Sequence, residues 1–435
     1  MSDEFLKKLN TVHFIGIGGI GVSALVRFFI GKGIKATGSD RDESMITDEL
    51  EKLGVKVFVG HNASNISEDV SVVVYSPAIP DSNPEIQFAR EHNIPTYSYP
   101  EALGLISEGM RTIAVSGTHG KTTTTAMIAE MLVGNKKDPT AIVGSLLKEA
   151  NSNFVSGKSD LFVVEACEYK RSFLCLSPEI LIITNIDNDH LDYYKDIDDI
   201  ISAFHQIAVM VPAHGYIVAD MRDKNVVKAL KDVGAKIIDY SRIGDTSTFN
   251  LSVLGEHNIK NAQATLAVAE ILNISYDNAL LELRKFNGTQ RRMEYKGELA
   301  SGVKIYDDYA HHPTEIKATL QGFRLQFPDA KIRVVFQPHL YSRTKLLLDD
   351  FSESFFDASE VMVAPIYAAR EKPDPEITAQ ILADRISQNY PNLKVHAFNN
   401  FKEIKEHLKK SLRTGDVVIT MGAGDIYKVG DALLW

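Results

Sequence analysis

The sequence predicts an α/β protein of about three domains, each built on a mostly parallel sheet. Short β-branched runs alternate with amphipathic segments along most of the chain, the pattern of strand–helix–strand units. Two of these runs end in glycine-bearing turns that open a helix, and 435 residues with 44% apolar side chains exceed one core at roughly 100 to 200 residues per domain. The first block starts at Val12 and carries the runs VHFIGI, IKATGSD, VKVFV, VSVVVYS and IPTYS, with amphipathic helices over Val22 to Ile30 and Pro84 to His92. The second begins near Arg111, passes through DLFVVEA and EILIITNI, and closes in a helix from Asn258 to Leu272. The third follows Arg291-Arg292 with VKIYDDY, KIRVVFQP, EVMVAPIY, LKVHAF and DVVITMGAG. The expected domains are residues 1–109, 110–291 and 292–435.

With 47 basic against 57 acidic side chains the net charge is −10, which argues against a general nucleic-acid partner but leaves room for local phosphate-binding cations. The leading segment MSDEFLKKLN is charged where a secretory leader is apolar, and no apolar run reaches the roughly 20 residues of a membrane span. The expectation is a cytoplasmic protein without a membrane partner, as a monomer or homodimer. Cys167 and Cys175 are the only cysteines, and without a C-x-x-C or a Cys/His array they read as buried thiols rather than a metal site or disulfide.

The most informative stretch is IAVSGTHGKTTTT, Ile113 to Thr125. A strand leads into Gly117 and Gly120, and Lys121 and Thr122 open a helix. Glycines let backbone N–H groups close round phosphates, the lysine neutralises β/γ oxygens, a threonine hydroxyl reaches Mg²⁺, and the helix N-terminus adds its dipole. ATP with Mg²⁺, for which Mn²⁺ is a substitute, is the expected ligand. Val115 stands where the eight-residue form has its first glycine, so the loop is the shorter G-x-x-G-K-T.

Gly16-Ile17-Gly18-Gly19-Ile20-Gly21 matches G-x-G-x-x-G after a strand, and Asp40 closes the next one. Alone this suggests NAD and an oxidoreductase. The same geometry suits any pyrophosphate, including that of a UDP-sugar, and it also serves close strand–helix packing. Further along, Glu165 and Glu168 end one strand, and Asn185, Asp187, Asp189 and His190 follow another. These are the C-terminal strand ends where open parallel sheets place ligands, and carboxylates with imidazole suit a partly hydrated Mg²⁺. Glu168 reads equally as a solvated partner of Lys170 or Arg171. In the third block DDYAHHPTEI sets Asp307, Asp308, Tyr309, His311 and His312 at a strand-to-helix turn, with Pro313 suited to the first helical position. Arg343, after Gln337-Pro338-His339, is placed to clamp a carboxylate or phosphate.

Taken in order, VSGTHGKTTTT, VVEACEY, TNIDNDHLDYY, EHNIKNAQA, TQRRME, YDDYAHHPTEI and FQPHLYSRT resemble the Mur ligase family. The resemblance implies an N-terminal Rossmann-like domain for a UDP-sugar, a central P-loop ATPase-type sheet and a C-terminal Rossmann-like domain for an amino acid. It implies ATP-dependent amide formation in peptidoglycan precursor synthesis, joining L-alanine to the lactyl carboxylate of UDP-N-acetylmuramate through an acyl phosphate. The family's alternative is addition of a recycled tripeptide to the same sugar nucleotide. By the same resemblance Gly117, Thr118, His119, Gly120, Lys121, Thr122 and Thr123 hold the ATP phosphates, Asn258 and Asn261 the adenine, Arg291 or Arg292 the phosphates, and Asp308 the ribose. Thr122, Glu165 and His190 are the implied metal ligands. Gly16, Gly18, Gly19, Gly21, Ser39, Asp40, His61 and Ser76 are implied to bind the UDP-sugar, with His312 and Arg343 at the amino acid or acyl group. The catalytic set is then Lys121, Glu165, His190, His312 and Arg343, with His312 the nearest proton acceptor. Two departures stand out: the stretch between Asp239 and Glu256 is short where a hairpin insertion is expected, and Leu340 occupies a place that some relatives fill with arginine.

Overall fold

Strands form where β-branched and aromatic runs can be buried on both faces, and three sheets result. The structure, a computed structural model, describes residues 6, 9–148, 152–190, 193–253, 255–369 and 371–435. Most of MSDEFLKK, and Leu191 and Asp192 of TNIDNDHLDYY, lie outside the described residues.

The first sheet is wholly parallel: β1 (Thr11–Ile15), β2 (Lys35–Asp40), β3 (Lys56–Val59), β4 (Val70–Tyr75) and β5 (Thr96–Ser98), in spatial order β3-β2-β1-β4-β5. Val12, Phe14, Ile15, Val73 and Val74 are fully buried, each contributing on the order of 1.5–3 kcal/mol of transfer free energy. The predicted helices run Ile20–Gly31 and Pro84–Glu91. The second sheet has β6 (Arg111–Ser116), β7 (Thr140–Leu147), β8 (Ser152–Val155), β9 (Leu161–Glu165), β10 (Ile180–Ile183), β11 (Tyr216–Ala219) and β12 (Lys236–Asp239), in order β12-β11-β10-β6-β9-β7-β8. Only β8 runs antiparallel, against β7. The third has β13 (Glu294–Glu298), β14 (Lys304–Asp308), β15 (Ile332–Phe336), β16 (Glu360–Val363), β17 (Lys394–Ala397) and β18 (Val417–Met421), in order β13-β14-β18-β15-β16-β17, with β13 antiparallel.

The chain divides into two compact units. The first comprises Met1–Asn188, Asp196–Asp245 and Asn261–Arg284, and so holds the first two sheets. The second comprises Asp189–Lys195, Thr246–Lys260 and Lys285–Trp435. Within the first unit the two sheets are tied by Asn153, whose amide donates to Ile20 O and lies 3.2 Å from both Ser23 Oγ and Arg27 Nη1. Between Asp239 and Glu256 the described residues form two short 3₁₀ turns, Tyr240–Arg242 and Thr246–Thr248, and no hairpin. Among the described residues no helix is long and apolar enough to cross a membrane. Cys167 and Cys175, expected as buried thiols, are both free and exposed.

Candidate active site

In both glycine turns the strand lies inside its sheet and the following helix starts without a side-chain cap, so its leading N–H groups face the turn. Gly16, at φ +79°, donates its N–H to Ser39 O at 2.8 Å, and Ser76 Cβ sits where a Gly16 side chain would point. Gly18 N–H donates to Asp40 Oδ2 at 2.8 Å. A Cβ on Gly21 would lie 2.7 Å from the Tyr99 ring. Ser39 is fully buried beneath the turn, its Oγ 2.6 Å from Glu85 Oε2 and 2.9 Å from His61 Nδ1. Asn65 also donates to Glu85. Burial works to raise the Glu85 carboxyl, but His13, Ser39 and Asn65 outweigh it and hold the group below the usual carboxylate range. Gly16, Gly18, Gly19, Gly21, Ser39, Asp40, His61 and Ser76 thus gather at the C-terminal edge of the first sheet. Glu85 and Tyr99, which motif reasoning missed, support them.

The second turn is braced from β10. Thr118 N–H donates to Asn185 O at 3.0 Å, His119 N–H to Asn185 Oδ1 at 3.0 Å, and Asp187 N–H to Thr118 Oγ1 at 2.9 Å. Asn185 is therefore a brace for the loop. Gly120 sits at φ +85°, and a Cβ there would come within 2.7 Å of Asn261 Oδ1. Lys121 Nζ folds onto the carbonyls of Gly117 (2.5 Å) and Thr118 (2.9 Å) and onto Glu168 (2.9 Å). Glu168 is 2% exposed, so it is not a solvated group, and Arg171 pairs with Asp199. Although burial works against its charge, Glu168 raises the Lys121 ammonium above its ordinary range.

Thr122 Oγ1 donates to Glu165 Oε1 at 2.7 Å, while Glu165 Oε2 is buried with no hydrogen-bond partner. A buried carboxylate oxygen left without a donor carries an uncompensated desolvation cost. With a threonine hydroxyl beside it, the pair fits a hard cation such as Mg²⁺. Thr123 is buried in the same first turn.

In the second unit Arg343 Nη2 donates to Asp189 Oδ1 at 2.8 Å, each side chain about 10% exposed. Burial works to raise the Asp189 carboxyl, but His190, Arg343, His311 and His312 hold it far below the usual range. Asp189, His190, Leu340, Ser342, Arg343, Leu346 and Leu347 line one pocket, which combines charged and apolar side chains. Leu340 adopts φ +68°, ψ 137°, a conformation costly for a residue with a Cβ. His190 also lies at positive φ, +55°, and its N–H is held by Asp189 Oδ1 at 2.7 Å. His190 and Glu165, paired by the resemblance as metal ligands, belong to different compact units. Asn258 and Asn261, on the one helix Glu256–Ile271, divide likewise.

The adjacent histidines differ in tautomer. Thr314 N–H donates to His312 Nδ1 at 3.3 Å as a helix cap, so the neutral ring carries its proton on Nε2. His311 Nδ1 lies 3.0 Å from Tyr309 O, which only accepts, so Nδ1 carries the proton and Nε2 keeps a lone pair. His311 Nε2 thus keeps a lone pair, whereas His312, the expected proton acceptor, spends Nδ1 on the helix cap. Asp308 accepts Met293 N–H and Ala310 N–H, both at 2.7 Å, and burial pushes its carboxyl up to about 6. Arg291 is committed to Asp307 (2.8 Å) and Gly422 O (2.7 Å) and stacks on Tyr309 and Tyr427. Of the arginine pair, Arg292 is the less enclosed, 3.7 Å from Glu315.

Three family profiles match in chain order: Mur ligase family, catalytic domain, over residues 11–111; Mur ligase middle domain over 115–248; and Mur ligase, glutamate ligase domain, over 291–424. The chain is 44% identical to the UDP-N-acetylmuramate–L-alanine ligase of Clostridium novyi, covering 100% of this chain and 99% of the relative. It is 42% identical to that of Clostridium tetani, with 100% of both covered. Among solved structures it is similar to the UDP-N-acetylmuramate–alanine ligase of Thermotoga maritima, with TM-score 0.80, 29% identity and coverage of 97% of this chain and 98% of that one. The fold is shared with a murein peptide ligase of Psychrobacter arcticus, at TM-score 0.72 and 24% identity over 98% of each chain.

Proposed function

The chain belongs to the Mur ligase family, and from that premise we propose that it joins L-alanine to UDP-N-acetylmuramate at the expense of ATP, in peptidoglycan precursor synthesis. The observation that carries this reading is the full-length identity of 41–44% to relatives named for that reaction. The reading includes a cytoplasmic location and a monomer or homodimer. Residues 1–109 take the UDP-sugar, 110–291 take ATP, and 292–435 take the amino acid.

A carboxylate is a poor electrophile, so its oxygen first attacks the γ-phosphorus of ATP and ADP leaves. The acyl phosphate formed has a good leaving group, and the amine nitrogen attacks its carbonyl carbon. Phosphate departs as the amide forms. Gly117 to Thr123 hold the triphosphate, and Lys121 turns from Glu168 to the phosphate oxygens as charge develops there. Thr122 and Glu165 would hold Mg²⁺, which supplies charge neutralisation at those oxygens when bound. Asn258, Asn261, Asp308 and Arg292 serve the nucleoside and phosphates. Arg343 exchanges Asp189 for the amino-acid carboxylate, with Leu340, Leu346 and Leu347 meeting a small apolar side chain. His311 Nε2 accepts the proton that the amine loses.

The test is phosphate release from ATP with UDP-N-acetylmuramate against a panel of amino acids and the murein tripeptide. Release that depends on L-alanine supports the proposal. Preference for the tripeptide assigns the chain to the recycling branch, and turnover of a nicotinamide cofactor would overturn the ligase reading.

A further inference from the structure

A second cluster lies in the C-terminal unit, built from residues that the ligase reaction does not use. Glu360 opens β16, His396 sits on the edge strand β17 opposite Met362, and His407 lies on the helix Phe401–Ser411. Glu360 Oε1 is 2.8 Å from His407 Nε2 and 3.5 Å from His396 Nε2. One ligand atom from each of the three residues falls within 4.8 Å of the other two. The carboxylate is 7% exposed, while His407 and His396 are 28% and 43% exposed, so it forms the floor and the imidazoles the mouth.

Behind this floor lies a charged network. Arg333 is bonded to Glu360 and, at 2.8 Å, to Asp416 Oδ2, with Ser411 O and Oγ taking its remaining donors. One guanidinium faces two carboxylates, with two imidazoles and Lys394 beside them. Arg333 also fixes the second oxygen of Glu360, as an outer partner does for a ligating carboxylate.

We propose that Glu360, His396 and His407 form a binding site for a borderline divalent transition-metal ion of the Zn²⁺ class, fastening β17 and the helix Phe401–Ser411 to β16. Ligand atoms of a tetrahedral Zn²⁺ with bonds near 2.0–2.1 Å stand roughly 3.3 Å apart, and the 2.8 and 3.5 Å separations here bracket that spacing. Two imidazoles and one carboxylate suit Zn²⁺ or Co²⁺ better than Mg²⁺ or Ca²⁺, and the open mouth leaves a fourth position for water. The role is structural: the site joins three elements that are separate in sequence.

The experiment titrates the chelator-stripped full chain with Zn²⁺ in excess Mg²⁺, which saturates oxygen-only sites, and reads binding by calorimetry and melting temperature. Co²⁺ repeats the titration with an absorption readout for nitrogen ligation. Wild type is expected to take up one ion and to melt higher with it. His396→Ala with His407→Ala together should abolish both effects, and Glu360→Gln should weaken binding by about tenfold or more. His396→Ala alone, a change at a half-exposed position, guards against a double variant that does not fold. Equal Zn²⁺ affinity in wild type and a folded His396→Ala, or no uptake by wild type, would overturn the proposal.

Discussion

The two glycine turns share a blueprint and are finished with opposite charge. Each follows an interior strand, β1 or β6, and leads into a helix whose N-cap is a glycine, Gly19 or Gly120. The first turn is braced by an anion, Asp40, on the Gly18 N–H. The second carries a cation, Lys121, folded back on its own carbonyls and on Glu168. The anionic brace fixes the backbone of the first turn and adds no attraction for a phosphate. A cation poised on a buried carboxylate suits a turn where negative charge moves during reaction.

The largest expected effect comes from deleting that cation. Lys121→Ala should lower kcat by roughly 10²–10³-fold, the scale of losing one transition-state charge stabiliser. It should also lower stability, because Glu168 stays buried and loses its 2.9 Å contact with the ammonium. Adding Glu168→Gln to Lys121→Ala should restore much of the melting temperature and none of the activity. Recovery of both would mean that the lysine is structural. Next, Glu165→Ala should raise the Mg²⁺ concentration for half-maximal rate by no less than the roughly tenfold that loss of an outer-shell partner costs. An unchanged Mg²⁺ profile would remove Glu165 from the metal site. In the first turn, Gly18→Val puts a Cβ 3.0 Å from Asp40 Oδ2 and 3.3 Å from Ser44 Oγ. The KM for the UDP-sugar should rise about fivefold, the equivalent of one hydrogen bond of ~1 kcal/mol, with the KM for ATP unmoved. Equal rises in both would show that the substitution damages the whole first unit.

The strands at the sheet centres are legible because β1, β6, β9, β10, β15 and β18 are short apolar runs ended by turn or charged residues, and burial on both faces demands that pattern. The hairpin of β7 and β8 is not, since it is antiparallel at a sheet edge and Ser152–Val155 mixes polar with apolar residues. The phosphate loop is legible because its chemistry is contiguous. Asp189 with Arg343 is not, for 154 residues separate the partners and only the fold unites them. The choice between His311 and His312 turns on which ring nitrogen meets Tyr309 O and which meets Thr314 N–H. Two identical letters cannot encode that. Asp40 is a middle case: its place at the end of β2 is readable, but its direction, toward Gly18 N–H, is not.

Asp40 therefore supplies the smallest and most discriminating test. If it is a brace, Asp40→Asn keeps an acceptor for Gly18 N–H and loses only charge assistance, a stability change of about 1 kcal/mol. The sign at the substrate follows from the same charge. Removing an anion beside a bound diphosphate lowers repulsion, so the KM for the UDP-sugar should stay level or fall slightly at low salt. That gain should fade at high ionic strength, where exposed charges are screened over about 3 Å at 1 M. If Asp40 instead accepts a ribose hydroxyl, as a dinucleotide-type site would require, the amide is the poorer acceptor and KM should rise at every salt concentration. Measuring KM for the UDP-sugar and for ATP in wild type and Asp40→Asn at low and high salt separates the two. A salt-independent rise would turn the brace into a ligand contact and make the two glycine turns more alike than their charges indicate.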